Sequence, residues 1–477
     1  MSSTPLPIST PGAQGVDARG VEAFLDALDA SPEIEVHGVV VLRHGHVVAQ
    51  GWWSPYAAER VHLVYSLSKS FTAAALGLAV DEGLVDLDTP VVAHFPEMDA
   101  DITDPRSRAI TLRHLAAMAS GHAGETWEPA VVLDPAEPVR GFLKLAPEAE
   151  PGSVFAYNQS CTYALAAVLQ RASGQTLTEY LRPRLFEPLG IGAAAWQQHP
   201  AGRDAGFTGL HVTTDAVARL GQLLLQGGVW EGRQVLPAAW VAEATRRHVD
   251  TPDAAEVDSR QGYGYQFWMS RHGYRGDGAF GQLCLVLPEC DAVVAVTGGS
   301  TRPQALLDAA WEHLLPALGG GPAPDATADD ALARRTAALA LPPVLHPDTD
   351  DPPAWRGAAF SPVDGECPGQ PGLSAIGVRA AECGWELTLT EAGEPLIARL
   401  GIGGWAVTDA ASGDGGSVPV AISGGGSAEK VLRFDVLFLE TPHRLAVTCW
   451  AETTTFEATW VTAPLWPSAL ADLRAPV

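Results

Sequence analysis

Apolar residues recur at helical spacing over residues 16–30, with Val21, Phe24, Leu25 and Leu28 on one face. This pattern predicts an amphipathic helix. Two apolar runs, 36–42 and 47–53, flank Arg43-His44-Gly45-His46 and predict a β-hairpin with His44 and His46 in its turn. Residues 68–82 place Phe71, Ala75, Leu78 and Ala79 at helical spacing, and Gly83 supplies the stop. Helical segments continue to about Leu189, among them 112–119 and 160–172, and another spans 214–226 before Gly227-Gly228. Three strand-like runs follow at 262–270, 280–287 and 292–297, with Gly and Pro turns between them, and 304–318 reads as a closing helix. Helix, hairpin, helical insert, antiparallel meander, helix is the order of an α+β domain in which an antiparallel sheet joins a helical part.

The character changes beyond residue 318. Gly/Pro-rich 319–324, a helix-prone stretch over 325–340 and Pro/Asp-rich 342–353 predict a linker over 319–354. From 355 to 477 short alternating runs recur at 385–390, 395–400, 432–439, 445–450 and 455–461, separated by Gly401–Gly404 and the loop 412–417. That spacing predicts a separate all-β module, a small barrel or sandwich, with no catalytic constellation of its own. The domain expectation is therefore 1–318, a linker over 319–354, and 355–477.

Composition narrows the partners. The chain is 47% hydrophobic and 18% charged, an ordinary globular balance, but its net charge is −26. A polyanion repels phosphate backbones and anionic lipid, so neither nucleic acid nor a membrane surface is an expected partner. Residues 1–15 have neither a basic start nor an apolar run, and no apolar run nears the ~18 residues of a membrane span. The expected location is the cytoplasm. Six scattered cysteines form no Cys-x-x-Cys pair and read as free thiols. His44 and His46 have no third ligand nearby, so no metal site is expected.

Of 30 basic residues only three are lysines: Lys69, Lys144 and Lys430. Arginine keeps its proton near neutral pH, whereas lysine releases it when its surroundings lower its pKa. Lys69 closes Ser66-Leu67-Ser68-Lys69 at the entry of the helix predicted over 68–82. Residues three apart share a helical face, so the amine can reach the Ser66 hydroxyl. A serine hydroxyl needs a base before it attacks a carbonyl, and a desolvated neutral lysine can serve.

The run Val64-Tyr65-Ser66-Leu67-Ser68-Lys69-Ser70-Phe71-Thr72-Ala73 resembles the Ser-x-x-Lys signature of the serine β-lactamase and penicillin-binding protein superfamily. Further segments agree in order: Val85-Asp86-Leu87-Asp88-Thr89-Pro90-Val91, Ile110-Thr111-Leu112-Arg113-His114-Leu115, Ser120-Gly121, Pro151-Gly152-Ser153-Val154-Phe155-Ala156-Tyr157-Asn158 and Glu187-Pro188-Leu189-Gly190. The resemblance spans roughly residues 20–318 and is strongest to the esterase-like, class C-related branch. It implies an antiparallel sheet flanked by helices with a helical subdomain, and no cofactor or metal. It makes Ser66 the nucleophile and Lys69 and Tyr157 its proton-transfer partners. The Lys69 ammonium is expected to lower the Tyr157 phenol from its usual value near 10.

Two departures from the family pattern bear on substrate. The family's Tyr-x-Asn is Tyr157-Asn158-Gln159 here, so the amide sits on a longer arm. The family's Lys-Thr-Gly or His-x-Gly is Gly276-Asp277-Gly278. The cation that would hold a substrate carboxylate is absent, and Asp277 stands beside its position. The Ala279 main-chain N–H can still join that of Ser66 as an oxyanion hole. The expected substrate-contacting set is thus Gln159, Asp277, Gly278 and Ala279. Gly276 to Gly281 also fits Gly-x-Gly-x-x-Gly, but a strand-like run follows where a dinucleotide site needs a helix.

The resulting expectation is a serine hydrolase forming an acyl-enzyme on Ser66, first a carboxylesterase on small neutral or hydrophobic esters. An amidase or D-aminopeptidase, a peptide-cyclising thioesterase and a β-lactamase are the alternatives within the superfamily. An inactive ligand-binding module is the alternative outside it.

Overall fold

A computed structural model of the chain describes residues 5–320, 324–345, 357–381, 384–412, 416–426 and 430–476. Most of the Pro/Asp-rich stretch 342–353, the start of segment 1–15, parts of the turn segments 319–324 and 412–417, and Cys383 lie outside the described residues.

The first helix is α1 (Ala18–Ala30), and its face of Val21, Phe24, Leu25 and Leu28 is buried. The hairpin follows as β1 (Val36–Arg43) and β2 (His46–Trp52). Its turn histidines make local hydrogen bonds, His46 Nδ1 to His44 O at 2.9 Å and His44 Nδ1 to Gln14 Oε1 at 3.2 Å. After α2 (Ser68–Asp81), α3 (Gln159–Ser173) and α4 (Thr214–Leu225), the chain returns as β3 (Trp268–Met269), β4 (Tyr274–Gly278), β5 (Gln282–Leu287) and β6 (Ala292–Gly298). These strands form one sheet in the order β2-β1-β6-β5-β4-β3, with every neighbouring pair antiparallel.

Alternation along these strands divides the core. Val39, Val41, Leu285, Val294 and Val296 pack on the side of α1 and the helices over 303–318. Val40, Leu42, Cys284, Val286, Val293 and Ala295 pack on the side of α2 and α4. A sheet covered on both faces has no polar face, which is why its strands read as continuous apolar runs. The apolar pattern does not predict strand β4. Tyr-Arg-Gly-Asp-Gly has no apolar alternation, and pairing with β5, Gly276 opposite Cys284, and with β3, Arg275 opposite Trp268, holds it extended. Conversely, of the run expected over 262–270 only Trp268–Met269 is a strand. The rest folds back on itself, with Gly264 N donating to Phe267 O at 2.8 Å.

Beyond the sheet, the helix Ala326–Ala337 lies along α1 and β2, where Arg335 pairs with Asp26 and Asp29 and Leu332 is buried. The C-terminal part is a barrel of β7 (Ala358–Pro362), β8 (Leu373–Ala381), β9 (Gly384–Glu391), β10 (Glu394–Ile402), β11 (Ala406–Ala411), β12 (Ser417–Gly426), β13 (Val431–Phe438), β14 (Arg444–Trp450) and β15 (Thr455–Thr462). Parallel pairing of β10 with β12, Gly401 opposite Ser423, closes eight strands into a ring, and β11 hangs on β12 outside it. Closure removes free sheet edges.

The barrel docks on the sheet. Its Ala421, Leu437 and Leu439 join the core beneath the α1 side, and Arg444 Nη1 meets Glu35 Oε2 at 2.7 Å. No helix among the described residues is long and apolar enough to cross a membrane.

Candidate active site

Tyr65–Leu67 form a tight turn that runs straight into α2. Tyr65 has φ 46°, a left-handed conformation that costs a bulky side chain roughly 1–3 kcal/mol. Ser66 is half-buried in this turn, and Lys69, 1% exposed, follows on the first turn of α2. Its Nζ stands 2.9 Å from Ser66 Oγ, 2.6 Å from Gln159 Oε1 and 2.8 Å from the Phe207 carbonyl. Burial lowers the Lys69 pKa to about 7, opposed by the Glu125 charge. The partner set suits a neutral amine. Two N–H groups are taken by two carbonyl-type oxygens, which leaves the lone pair for the Ser66 hydroxyl. The other two lysines are unlike it: Lys144 is exposed and Lys430 is a surface partner of Glu452.

Tyr157 and Gln159 bracket Asn158, which caps α3 by accepting from Ser160 N at 3.0 Å and from Thr126 Oγ1 at 3.0 Å. Gln159 therefore reaches Lys69 despite its longer arm, and its amide nitrogen is left as a donor. The Tyr157 hydroxyl faces Ser66, which stabilises its charged form, and its ring stacks on Trp268 with centroids 5.4 Å apart. The expected lowering of the Tyr157 pKa is corrected here: burial pushes it up, and the nearby Asp277 and Glu125 charges push the same way. Lys69 Nζ lies 4.9 Å over the ring rather than against the oxygen, and an amine near its own titration point is a weak source of positive charge. Tyr157 is a neutral phenol at pH 7.

The Gly276-Asp277-Gly278-Ala279 segment borders the Ser66 turn along β4. A Cβ on Gly276 would lie 2.6 Å from Ser70 Oγ, so α2 itself occupies the place of the missing cation. A Cβ on Gly278 would lie 2.2 Å from the Val64 carbonyl oxygen. That close approach brings the Ala279 end of β4 beside Ser66. Gly278→Ala should cost about 1–3 kcal/mol, because main chain blocks it. Gly276→Ala should cost less, because the Ser70 hydroxyl can turn away. Paired thermal melts decide this, and equal losses would contradict it. Asp277 does not stand alone: Arg275 Nε meets Asp277 Oδ2 at 2.6 Å, and the rest of the guanidinium is bound to Met269 O, Ser270 Oγ and Ser259 Oγ.

Several contributors carried no sequence signal. The Phe207 carbonyl is main chain and has no motif. Glu125 accepts from the N–H groups of Thr126, Trp127 and Gln159, tying two helix starts together beside Lys69. The Trp268 stack on Tyr157 joins positions 111 residues apart. Among the described residues, no group of three or more His, Cys, Asp or Glu side chains could hold a metal ion.

Residues 21–319, more than half of the chain, match the family model described as Beta-lactamase. The chain belongs to the beta-lactamase family. Within it the chain is 26% identical over 289 residues to a 6-aminohexanoate-dimer hydrolase of Paenarthrobacter ureafaciens, spanning 54% of this chain and 70% of that protein. It is 29% identical over 225 residues to Esterase EstB of Burkholderia gladioli, spanning 41% and 54%. A solved structure provisionally described as a 6-aminohexanoate-dimer hydrolase from Bacillus anthracis superposes with a TM-score of 0.55 at 20% identity, over 66% of this chain and 88% of that one. This beta-lactamase family member is a serine hydrolase, and the antiparallel sheet with its flanking helices is the family fold.

Proposed function

We propose that this member of the family is a carboxylesterase that acts on small neutral or hydrophobic esters through an acyl-enzyme on Ser66. The Ser66–Lys69 pair carries the reading: an amine that releases its proton near pH 7, 2.9 Å from a hydroxyl at a helix start. Ser66 Oγ bonds to the ester carbonyl carbon as its proton passes to Lys69 Nζ. The N–H groups of Ser66 and Ala279 meet the oxyanion. The alkoxide then leaves with a proton relayed from Lys69 through the Tyr157 hydroxyl. Water attacks the acyl carbonyl as its proton passes through Tyr157 to Lys69, and Lys69 gives that proton to Ser66 Oγ as the ester bond breaks and the carboxylic acid departs.

Gly276 and the neutralised Arg275–Asp277 pair favour an uncharged substrate over a penicillin-type carboxylate. The aromatic surroundings of Phe207, Trp127 and Trp268 favour apolar groups. Esterase EstB among the relatives agrees with this choice. Amide hydrolysis is a second reading, supported by the Gln159 amide beside Lys69 and by the 6-aminohexanoate-dimer hydrolase relative.

The test compares kcat/KM for p-nitrophenyl butyrate, butyryl p-nitroanilide and nitrocefin. The ester should exceed nitrocefin by roughly 100-fold or more, because the lactam carboxylate would have to be desolvated without a partner. A faster nitrocefin reaction would overturn the substrate choice. An anilide matching the ester would favour the amidase reading.

A further inference from the structure

Three contacts reach from the barrel side to the residues around Ser66. The Leu63 N–H donates to the Glu440 carbonyl at 2.8 Å. The buried Tyr65 hydroxyl lies 2.8 Å from His443 Nε2. The Leu465 main chain faces the same hydroxyl and stabilises its charged form. The direction of the Tyr65–His443 bond follows from the other side of the ring. His443 Nδ1 is 3.0 Å from the Thr462 carbonyl, which can only accept, so Nδ1 carries the proton and Nε2 accepts from Tyr65. Burial lowers the His443 pKa to about 4, so this neutral form holds across the neutral pH range.

Tyr65 is the residue that most needs holding. It sits at φ 46° immediately before Ser66, and such a conformation persists only where the surroundings over-determine it. Its ring packs against Phe280 at 5.5 Å, next in sequence to Ala279, and against Trp466 at 6.5 Å. Its hydroxyl is bound by His443, from beyond residue 440.

We propose that His443 is a positioning residue for catalysis, holding the Tyr65 hydroxyl and thereby the left-handed turn that aims Ser66 at Lys69. The inference rests on Ser66 being the nucleophile. The barrel is then a working part of the hydrolase site, although none of its side chains need touch the reacting atoms. Without the anchor the ring can stay packed while the turn relaxes, and a displacement of about 1 Å at a reacting group costs on the order of 100-fold.

The experiment uses the full chain with Tyr65→Phe, His443→Ala, His443→Gln and the double variant Tyr65→Phe/His443→Ala. It measures kcat and KM on p-nitrophenyl butyrate, the rate of fluorophosphonate labelling of Ser66, and Tm. Tyr65→Phe and His443→Ala should each lower kcat and the labelling rate together, by roughly 10- to 100-fold, with KM little changed. The double variant should be no worse than the poorer single, because both remove one bond. His443→Gln, whose amide oxygen can accept the Tyr65 proton, should recover most of the loss. Tyr65→Phe is nearly isosteric and decides the matter if His443→Ala fails to fold. Wild-type kcat in Tyr65→Phe, multiplicative losses in the double variant, or a loss confined to Tm would overturn the proposal. Failure of the underlying reading looks different: the probe would attach elsewhere and Ser66→Ala would still turn over.

Discussion

Lys69→Arg is expected to lower kcat roughly 1,000-fold, the scale of losing a positioned general base, although it keeps the positive charge. Arginine cannot release its proton, and its planar fork cannot reproduce three contacts at 2.6–2.9 Å around one nitrogen. In the wild type, kcat/KM should rise with pH through about 7, because the amine must be neutral to take the Ser66 proton. Tyr157→Phe should also be severe, and Lys69→Ala combined with Tyr157→Phe little worse than the poorer single, since the two act on one proton path. The measurements are pH–rate profiles of kcat/KM and kcat for the variants. Near-normal turnover in Lys69→Arg would mean that charge alone is needed there.

The same buried amine makes a stability prediction. Its folded pKa, about 7, lies below the unfolded value of 10.5. Between those values the unfolded chain binds a proton that the folded chain does not, so stability rises with pH across that window and the penalty is complete below pH 7. Lys69→Met should therefore gain stability relative to the wild type as pH falls from about 10 to about 7. Chemical denaturation at several pH values reads this directly.

Ser66→Ala is expected to abolish fluorophosphonate labelling and to lower kcat by at least about 10,000-fold, the loss seen when a nucleophile is removed from a unit of catalytic groups. The fold should survive. Ser66 is half-buried at a turn, and its hydroxyl is bound by the Lys69 side chain rather than by the main chain of another element. Peptide mapping of the labelled wild type should place the adduct on Ser66. An adduct on Ser68 would move the assignment. Ser68 Oγ, however, is buried and accepts from Leu210 N at 3.1 Å, which makes it a structural hydroxyl.

Much of the fold was legible because its signals are local. The hairpin, α1, α2, α3 and α4 appear in the sequence as apolar periodicities, and each is present within a residue or two. The elements that escaped have little periodicity of their own. Strand β4 is Tyr-Arg-Gly-Asp-Gly, and in the barrel Ala358–Pro362, Leu373–Ala381, Ala406–Ala411 and Ser417–Gly426 are rich in small or polar residues. Pairing with neighbours, not side-chain pattern, makes them strands.

The division runs the same way through the site. The Ser66–Lys69 relation was determined by the sequence alone, because residues three apart on a helix must face together whatever surrounds them. The scarcity of lysine narrowed the candidate amines to three, its place three residues after Ser66 picked out Lys69, and the ordered motifs named the family. What the tertiary structure alone decided is every property that depends on burial or on distant chain. Burial took Tyr157 upward rather than downward. The cap at Asn158 brought the displaced amide of Gln159 to Lys69. The close approach of β4 to Ser70 and Val64 explained Gly276, which had read only as a lost cation, and Gly278, which had read only as a substrate contact. The barrel, which looked like an appendage, placed His443 against the residue before Ser66. Spacing along a helix is encoded within a few residues, whereas desolvation and long-range hydrogen bonds exist only once the whole chain has closed around the site.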